Sequence, residues 1–190
     1  MELDKKSALI IVDVQRDFCP GGALPVPEGD KIIPALNEYI KRFKKKGLPI
    51  FATRDWHPED HISFKPRGIW PPHCIKNTNG ATFHPDLKLP KDVIIISKAY
   101  DRDKEAYSSF QDTELDKILR EKGVKRLFIG GLATDYCVKN TILDALKHNY
   151  ETYFLEDASK GIDAVKGDVE GAIKEMVEKG AKKITLKDIK

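Results

Sequence analysis

The sequence is short of cysteine, of charge imbalance and of long apolar runs, and each shortage removes a class of protein. Cys19, Cys74 and Cys137 are an odd number in 190 residues and none stands in a C-x-x-C spacing, so neither a disulfide framework nor a thiolate zinc cluster is supported. At least one thiol is left over to explain. With 33 basic against 30 acidic residues the net charge is +3, a mixed surface that calls for neither nucleic acid nor an acidic membrane. The longest uncharged apolar run, Ala8-Leu9-Ile10-Ile11-Val12, falls far below the ~20 residues a spanning helix needs. The opening Met1-Glu2-Leu3-Asp4-Lys5-Lys6 has no long apolar h-region, and the expectation is a soluble, cytoplasmic protein. Phosphate-binding glycine loops are missing as well, since no G-x-x-x-x-G-K-S/T or G-x-G-x-x-G follows a strand. Asp101-Arg102-Asp103 opens like a calcium loop but has Ala106 where glycine is required.

What is present is a rhythm. Short β-branched runs alternate with amphipathic stretches, the pattern of a parallel sheet covered by helices on both faces. Strands are expected near Ala8–Val14, Pro49–Thr53, Val93–Ser97, Arg126–Gly130, Thr152–Leu155 and Lys183–Leu186, with helices over Ile32–Lys46, Asp112–Lys122, Thr134–His148 and Ala164–Lys179. Gly47, Gly123 and Gly180 stand where helix C-caps belong. The prediction is therefore an α/β protein: a three-layer, doubly wound, Rossmann-like arrangement of six mostly parallel strands, forming a single domain over 1–190. One segment breaks the rhythm. From Arg54 to Asp92 there is no convincing helix or strand, yet the segment holds both tryptophans, six of eleven prolines and four of five histidines. A loop of that length is a functional candidate, and its Trp56, Phe64, Ile69, Trp70 and Phe83 argue against disorder.

In open α/β sheets the ligand crevice lies beyond the carboxyl ends of the strands. Three reactive side chains stand there. Asp13 closes Ala-Leu-Ile-Ile-Val-Asp-Val, Lys98 closes Val-Ile-Ile-Ile-Ser-Lys, and Cys137 follows the glycine turn of Leu-Phe-Ile-Gly-Gly-Leu-Ala-Thr-Asp-Tyr-Cys. Taken singly, Asp13 could cap a turn, Lys98 could snorkel to the surface and Cys137 could pack as a small apolar group. With Thr134 or Asp135 as N-cap, Cys137 falls in the first helical turn, where the dipole favours thiolate and free N–H groups can hold an oxyanion. Cys19 and Cys74 lack that context and are read as structural. The second constellation is Arg54-Asp55-Trp56-His57 with Trp70-Pro71-Pro72-His73. Asp55 and His57, two apart in an extended segment, point to one side, and His73 can return as a third donor to one divalent ion. An aspartate with two histidines suits zinc first, with iron or manganese as alternatives, better than calcium. His61 is a candidate fourth ligand or an outer partner of the set.

Together Val12-Asp13-Val14-Gln15-Arg16-Asp17-Phe18, Pro20-Gly21-Gly22-Ala23-Leu24, Thr53-Arg54-Asp55-Trp56-His57, Trp70-Pro71-Pro72-His73-Cys74 and Gly131-Leu132-Ala133-Thr134-Asp135-Tyr136-Cys137-Val138 resemble the isochorismatase-like cysteine hydrolases, in order and over nearly the whole chain. Within that superfamily the metal set points to the nicotinamidases (pyrazinamidases). The resemblance implies a triad of Asp13, Lys98 and Cys137, a metal site of Asp55, His57 and His73, and a cis bond between Leu132 and Ala133. It implies an amidohydrolase that turns nicotinamide into nicotinic acid and ammonia, and pyrazinamide into pyrazinoic acid, through a cysteine thioester in NAD salvage. The oxyanion donors would be the N–H groups of Ala133 and Cys137, and the substrate contacts Phe18, Trp70, Ala133 and Tyr136. Expected partners are a small carboxamide and, for assembly, at most further copies of the same chain. A different carboxamide hydrolase of the superfamily, or a non-catalytic α/β binding module, are the competing readings. The charged run Ala99–Ala106 leaves the role of Tyr107 open.

Overall fold

The computed structural model describes all 190 residues. Six strands, β1 (Ser7–Val12), β2 (Ile50–Asp55), β3 (Ile94–Lys98), β4 (Arg126–Leu132), β5 (Glu151–Lys160) and β6 (Lys182–Ile184), form one sheet in the order β3-β2-β1-β4-β5-β6. All five pairings are parallel, so the expected sheet is parallel throughout rather than mostly. The helices are α1 (Ile33–Lys45), α2 (Leu115–Glu121), α3 (Lys139–Lys147) and α4 (Asp168–Glu178).

The strong apolarity of β1 follows from its central place. Leu9 and Ile11 pack with Leu36, Tyr39, Ile40 and Phe43 of α1 on one face, while Ala8, Ile10 and Val12 pack with Leu115 of α2, Ile142 of α3 and Met176 of α4 on the other. Successive strand side chains point to opposite faces, so a strand covered on both sides must be apolar at every position. β3 lies at the sheet edge and keeps the alternation of a half-covered strand: Ile96 and Lys98 are buried, whereas Ile95 is exposed. The expected C-cap glycines all have the left-handed backbone their places require, with φ of 65° at Gly47, 68° at Gly123 and 111° at Gly180.

Several expected boundaries move. β1 stops at Val12 rather than Val14, because Asp13 turns into the left-handed region with φ 51°. β2 runs to Asp55, so Arg54 and Asp55 belong to a strand and not to the long loop. The fourth helix begins at Asp168, not Ala164, after Gly167 at φ 102°. The helix expected from Thr134 is broken: Thr134–Val138 is a wide π-helical turn that precedes α3. Neither Thr134 nor Asp135 caps it. Ala133 holds the cap position with no side-chain bond, and the Asp135 carboxylate instead accepts from the N–H groups of Ile162 and Asp163, pinning the loop after β5.

β5 spans ten residues rather than the four expected. Its register against β4 jumps from Ile129 opposite Phe154 to Gly131 opposite Ser159, so the extra residues of β5 bulge against Gly130. A Cβ at Gly130 would stand 2.9 Å from Ala158 O, and one at Gly131, where φ is 133°, would stand 2.1 Å from Val12 O. The Gly-Gly pair thus lets β1 and β5 close on the end of β4.

Candidate active site

The strand order reverses direction between β1 and β4, which is where the crevice of a doubly wound sheet opens. Asp13 leaves β1 and the Ala133–Cys137 turn leaves β4 side by side at that point. Lys98 reaches it from β3, two strands away, because its side chain lies along the covered face under Asp55, its register partner on β2.

The result is a buried ion cluster. Lys98 Nζ lies 2.9 Å from Asp13 Oδ2, donates to Asp55 Oδ1 at 2.5 Å and to Ala106 O at 3.2 Å, and stands 3.4 Å from Cys137 Sγ. The other Asp13 oxygen accepts from Thr53 Oγ1 at 2.7 Å. Asp13 and Lys98 are wholly buried and Cys137 is 6 % exposed. A lysine taken out of water needs such partners, since an unpaired charge there is costly.

The two carboxylates are pushed apart. Burial raises the Asp13 carboxyl above the ordinary carboxylate range, and Lys98 only partly offsets it. Burial acts on Asp55 in the same sense, but the ammonium of Lys98 and the neighbouring histidines outweigh it and hold this carboxyl well below that range. Burial would lower the Lys98 ammonium, yet Asp13 and Asp55 hold it well above its usual value. Of two acids sharing one cation, Asp13 is therefore the one fitted to take up a proton. The pull of the helix terminus toward thiolate is opposed here: burial drives the Cys137 thiol well up, Lys98 works against this, and Asp13 and Asp55 add to it. In this setting Cys137 is a thiol next to a proton acceptor.

Asp55 belongs to a second cluster. Ligand atoms of Asp55, His57 and His73 lie within 4.8 Å of one another, all buried. His57 Nδ1 faces Ala99 O at 3.1 Å and His73 Nδ1 faces Pro71 O at 2.8 Å. A carbonyl can only accept, so each ring carries its proton on Nδ1 and turns the Nε2 lone pair inward. His57 Nε2 is buried with no hydrogen-bond partner and stands 3.6 Å from Asp55 Oδ2. Burial pushes His73 down to about 4, which keeps it neutral and able to ligate. An orphaned imidazole nitrogen, a second inward nitrogen and a carboxylate oxygen are a donor set that fits one divalent ion with open positions. His61 is not a fourth ligand here. Its ring lies tilted against that of His57 with centroids 4.2 Å apart, while its Nδ1 meets Ser63 Oγ at 2.7 Å and its Nε2 meets Lys104 O at 2.9 Å, so both nitrogens are engaged. Asp13, Asp55 and Cys137 also converge, but the Lys98 ammonium stands among them where a cation would have to sit.

Between the two clusters opens a small cavity lined by residues of both. All four expected contact residues line it: Phe18 from the short helical turn after β1, Trp70 from the long loop, Tyr136 from the π-helical turn and Ala133 from its cap. Trp70 and Tyr136 meet edge to face at 5.2 Å, and Trp70 Nε1 donates to Tyr107 Oη at 3.0 Å. Phe18 lies against His73 with ring centroids 5.4 Å apart. Tyr107, whose role the sequence left open, is thus part of the wall. The Leu132–Ala133 bond is cis, and Ala133 O accepts from the N–H groups of Tyr136 and Val138 at 3.1 Å each.

Sequence reasoning missed Gln15, Thr53 and Glu105. Gln15 clamps the backbone of Asp55 from both sides, donating Nε2 to Asp55 O at 2.8 Å and accepting from Asp55 N at 2.8 Å. Its position between Asp13 and Phe18 was the only signal. Thr53 shares the strand face of Asp55, two residues on, which period-2 counting could have flagged. Glu105 lines the cavity from the charged segment after β3.

Residues 7–188 match the model of the isochorismatase domain. A nicotinamidase of Escherichia coli is 37 % identical, with 95 % of each chain covered. A nicotinamidase/pyrazinamidase of Mycobacterium tuberculosis is 39 % identical, over 83 % of this chain and 88 % of the relative. Among solved structures, a pyrazinamidase of Pyrococcus horikoshii in complex with zinc shares 60 % identity and superposes with a TM-score of 0.91 over 95 % of this chain and 99 % of that one. The topology, the strand-end constellation and this likeness over the full length all lead to the same assignment, and the chain belongs to the isochorismatase family.

Proposed function

We propose that this chain hydrolyses nicotinamide to nicotinic acid and ammonia, and pyrazinamide likewise, a step of NAD salvage. The single observation that carries this is a buried thiol set against an Asp–Lys pair, with Asp55 shared between that pair and a three-ligand metal cluster across one aromatic-lined cavity. The nicotinamidase and pyrazinamidase relatives support the same reading.

Cys137, Asp13 and Lys98 are the reacting residues. As Cys137 Sγ attacks the carboxamide carbon, its proton passes to Asp13. The carbonyl oxygen becomes an oxyanion held by the N–H groups of Ala133 and Cys137. Collapse breaks the carbon–nitrogen bond, and Asp13 returns the proton to the departing ammonia. Water then attacks the thioester with Asp13 again taking a proton, and the acid leaves as the thiol re-forms. Lys98 stays charged throughout, steadying Asp13 and any thiolate character on Sγ. Asp55, His57 and His73 would hold the divalent ion, zinc by choice of donors, and the chemistry it supplies when bound is Lewis-acid binding of the ring nitrogen, which orients the ring. Phe18, Trp70 and Tyr136 pack on the ring faces and edges.

The test is direct: purified protein is incubated with nicotinamide and ammonia is measured. Release of ammonia that is lost in Cys137→Ala is the expected result; no release at any metal loading rejects the reading.

A further inference from the structure

Glu105 is a carboxylate in a place that the reaction as described does not use. It lines the cavity alongside Asp55, His57, Tyr107 and Cys137, and is half-buried. Its Oε1 accepts from the N–H of Ala106 at 3.0 Å, while no side chain of the protein pairs with it. The segment around it is held on every side: Lys104 O by His61 Nε2, Ala106 O by Lys98 Nζ, and Glu105 O by Gln111 Nε2 at 2.7 Å. The charge is thus fixed at the wall rather than carried on a free loop. Asp13 and Asp55 already answer Lys98. With a divalent ion on Asp55, His57 and His73, the formal charges of the site cancel only if Glu105 is counted, and without it one positive charge remains over.

We infer that Glu105 is a specificity-determining residue that keeps the site matched to a neutral carboxamide and set against the carboxylate product. Hydrolysis turns an uncharged amide into an anion in the same pocket. A fixed negative charge costs the amide little and the product directly, so it speeds product departure and limits product inhibition. The inference rests on the carboxamide-hydrolase reading above, and its own readout is the ratio of product affinity to substrate affinity.

The experiment compares wild type, Glu105→Gln and Glu105→Asp, each loaded with metal, at neutral pH and one ionic strength. KM for nicotinamide and the competitive inhibition constant of nicotinate are measured by ammonia release. Nicotinate binding is titrated separately by quenching of tryptophan fluorescence. Removing one charge from a half-solvated cavity is expected to tighten nicotinate on the order of tenfold in Glu105→Gln, with KM moving by less than about threefold. Glu105→Asp, which keeps the charge, is expected to retain the wild-type ratio. Nicotinate affinity unchanged in Glu105→Gln, or KM and product affinity shifting together, overturns the inference. Failure of the wild-type enzyme to release ammonia rejects the carboxamide reading instead. In that event the fluorescence titration still decides whether Glu105 repels a carboxylate.

Discussion

Asp13 and Asp55 are chemically identical side chains facing one ammonium, and their surroundings give them different work. Asp13 is paired with Lys98 and Thr53 and faces the Cys137 thiol, whereas Asp55 also faces two histidines. The raised carboxyl of Asp13 makes it the better proton acceptor for a thiol that burial keeps protonated. Asp13→Asn can neither accept that proton nor return it to ammonia, so kcat should fall by about 10²–10⁴-fold. Stopped-flow detection of acyl-enzyme checks this, and a normal burst in the variant would place the base elsewhere. The same raised carboxyl fixes the sign of the pH dependence. Protonated Asp13 cannot serve as base, so kcat/KM should fall on acidification, with the limb lying above the ordinary carboxylate range. A limb at or below that range would mean that Asp13 does not control it. Lys98 is a matter of stability as well as chemistry. In Lys98→Met two buried carboxylates lose their common cation, and breaking a buried pair in this way costs about 3–5 kcal/mol. Urea unfolding at neutral pH measures it; a loss under about 1 kcal/mol would mean that water reaches the cluster.

At the scale of the elements, the ends of β1 and β4 place the chemistry, and Gly131 decides how closely they approach. An alanine there would bring a methyl to 2.1 Å from Val12 O, in a backbone conformation that L side chains rarely adopt. Neither atom is the end of a flexible side chain, so β1 and β4 must separate just before Asp13 and Ala133. Gly131→Ala should destabilise the fold by at least the ~1–3 kcal/mol of an overpacked core and lower kcat more than it raises KM. Thermal unfolding and steady-state kinetics read the two effects. Wild-type kcat in this variant would show that the strand ends adjust without moving the reacting groups. The π-helical turn is the other element that matters: Thr134–Val138 brings Cys137 beside Asp13 and Lys98 while Tyr136 reaches the aromatic wall, within a single widened turn.

For the whole molecule, the decisive feature is that two clusters share one residue and one cavity. Asp55 accepts from Lys98 with one oxygen and turns the other toward His57, so a single side chain joins the two clusters. Aromatic contacts contribute only about 0.5–1.5 kcal/mol per pair beyond buried area. Selectivity for a pyridine ring must then come chiefly from its nitrogen. Nicotinamide and pyrazinamide should be good substrates, benzamide poor and acetamide poorest, in order of kcat/KM. Removal of metal by a chelator should chiefly raise KM for nicotinamide and leave benzamide little changed. Equal kcat/KM for nicotinamide and benzamide would refute contact between ring nitrogen and metal, and loss confined to kcat would place the ion at the transition state instead.

The layered α/β architecture is legible in the sequence alone, because strands buried on both faces must be largely apolar and helices between them must carry a stripe; Ala8–Val12 and the stripe of α1 show it for that reason. The sequence also determined the candidate residues at the strand ends, since an ionisable group closing an apolar run is chemically conspicuous wherever it points. What it could not contain were the distances between elements. That Lys98 crosses under β2 to reach Asp13 depends on the register Asp55 opposite Lys98, and that register is set by pairing between strands some forty residues apart, not by either strand alone. The thiol character of Cys137 likewise depends on burial and on two carboxylates from other strands, which outweigh the local pull of a helix terminus. The π-helical turn, the ten-residue β5 and the engagement of both His61 nitrogens have the same origin. Each is a local conformation or protonation state selected by contacts with distant segments, Ile162 and Asp163 on Asp135, Ala158 on Gly130, Lys104 on His61, and only the folded chain brings those segments together.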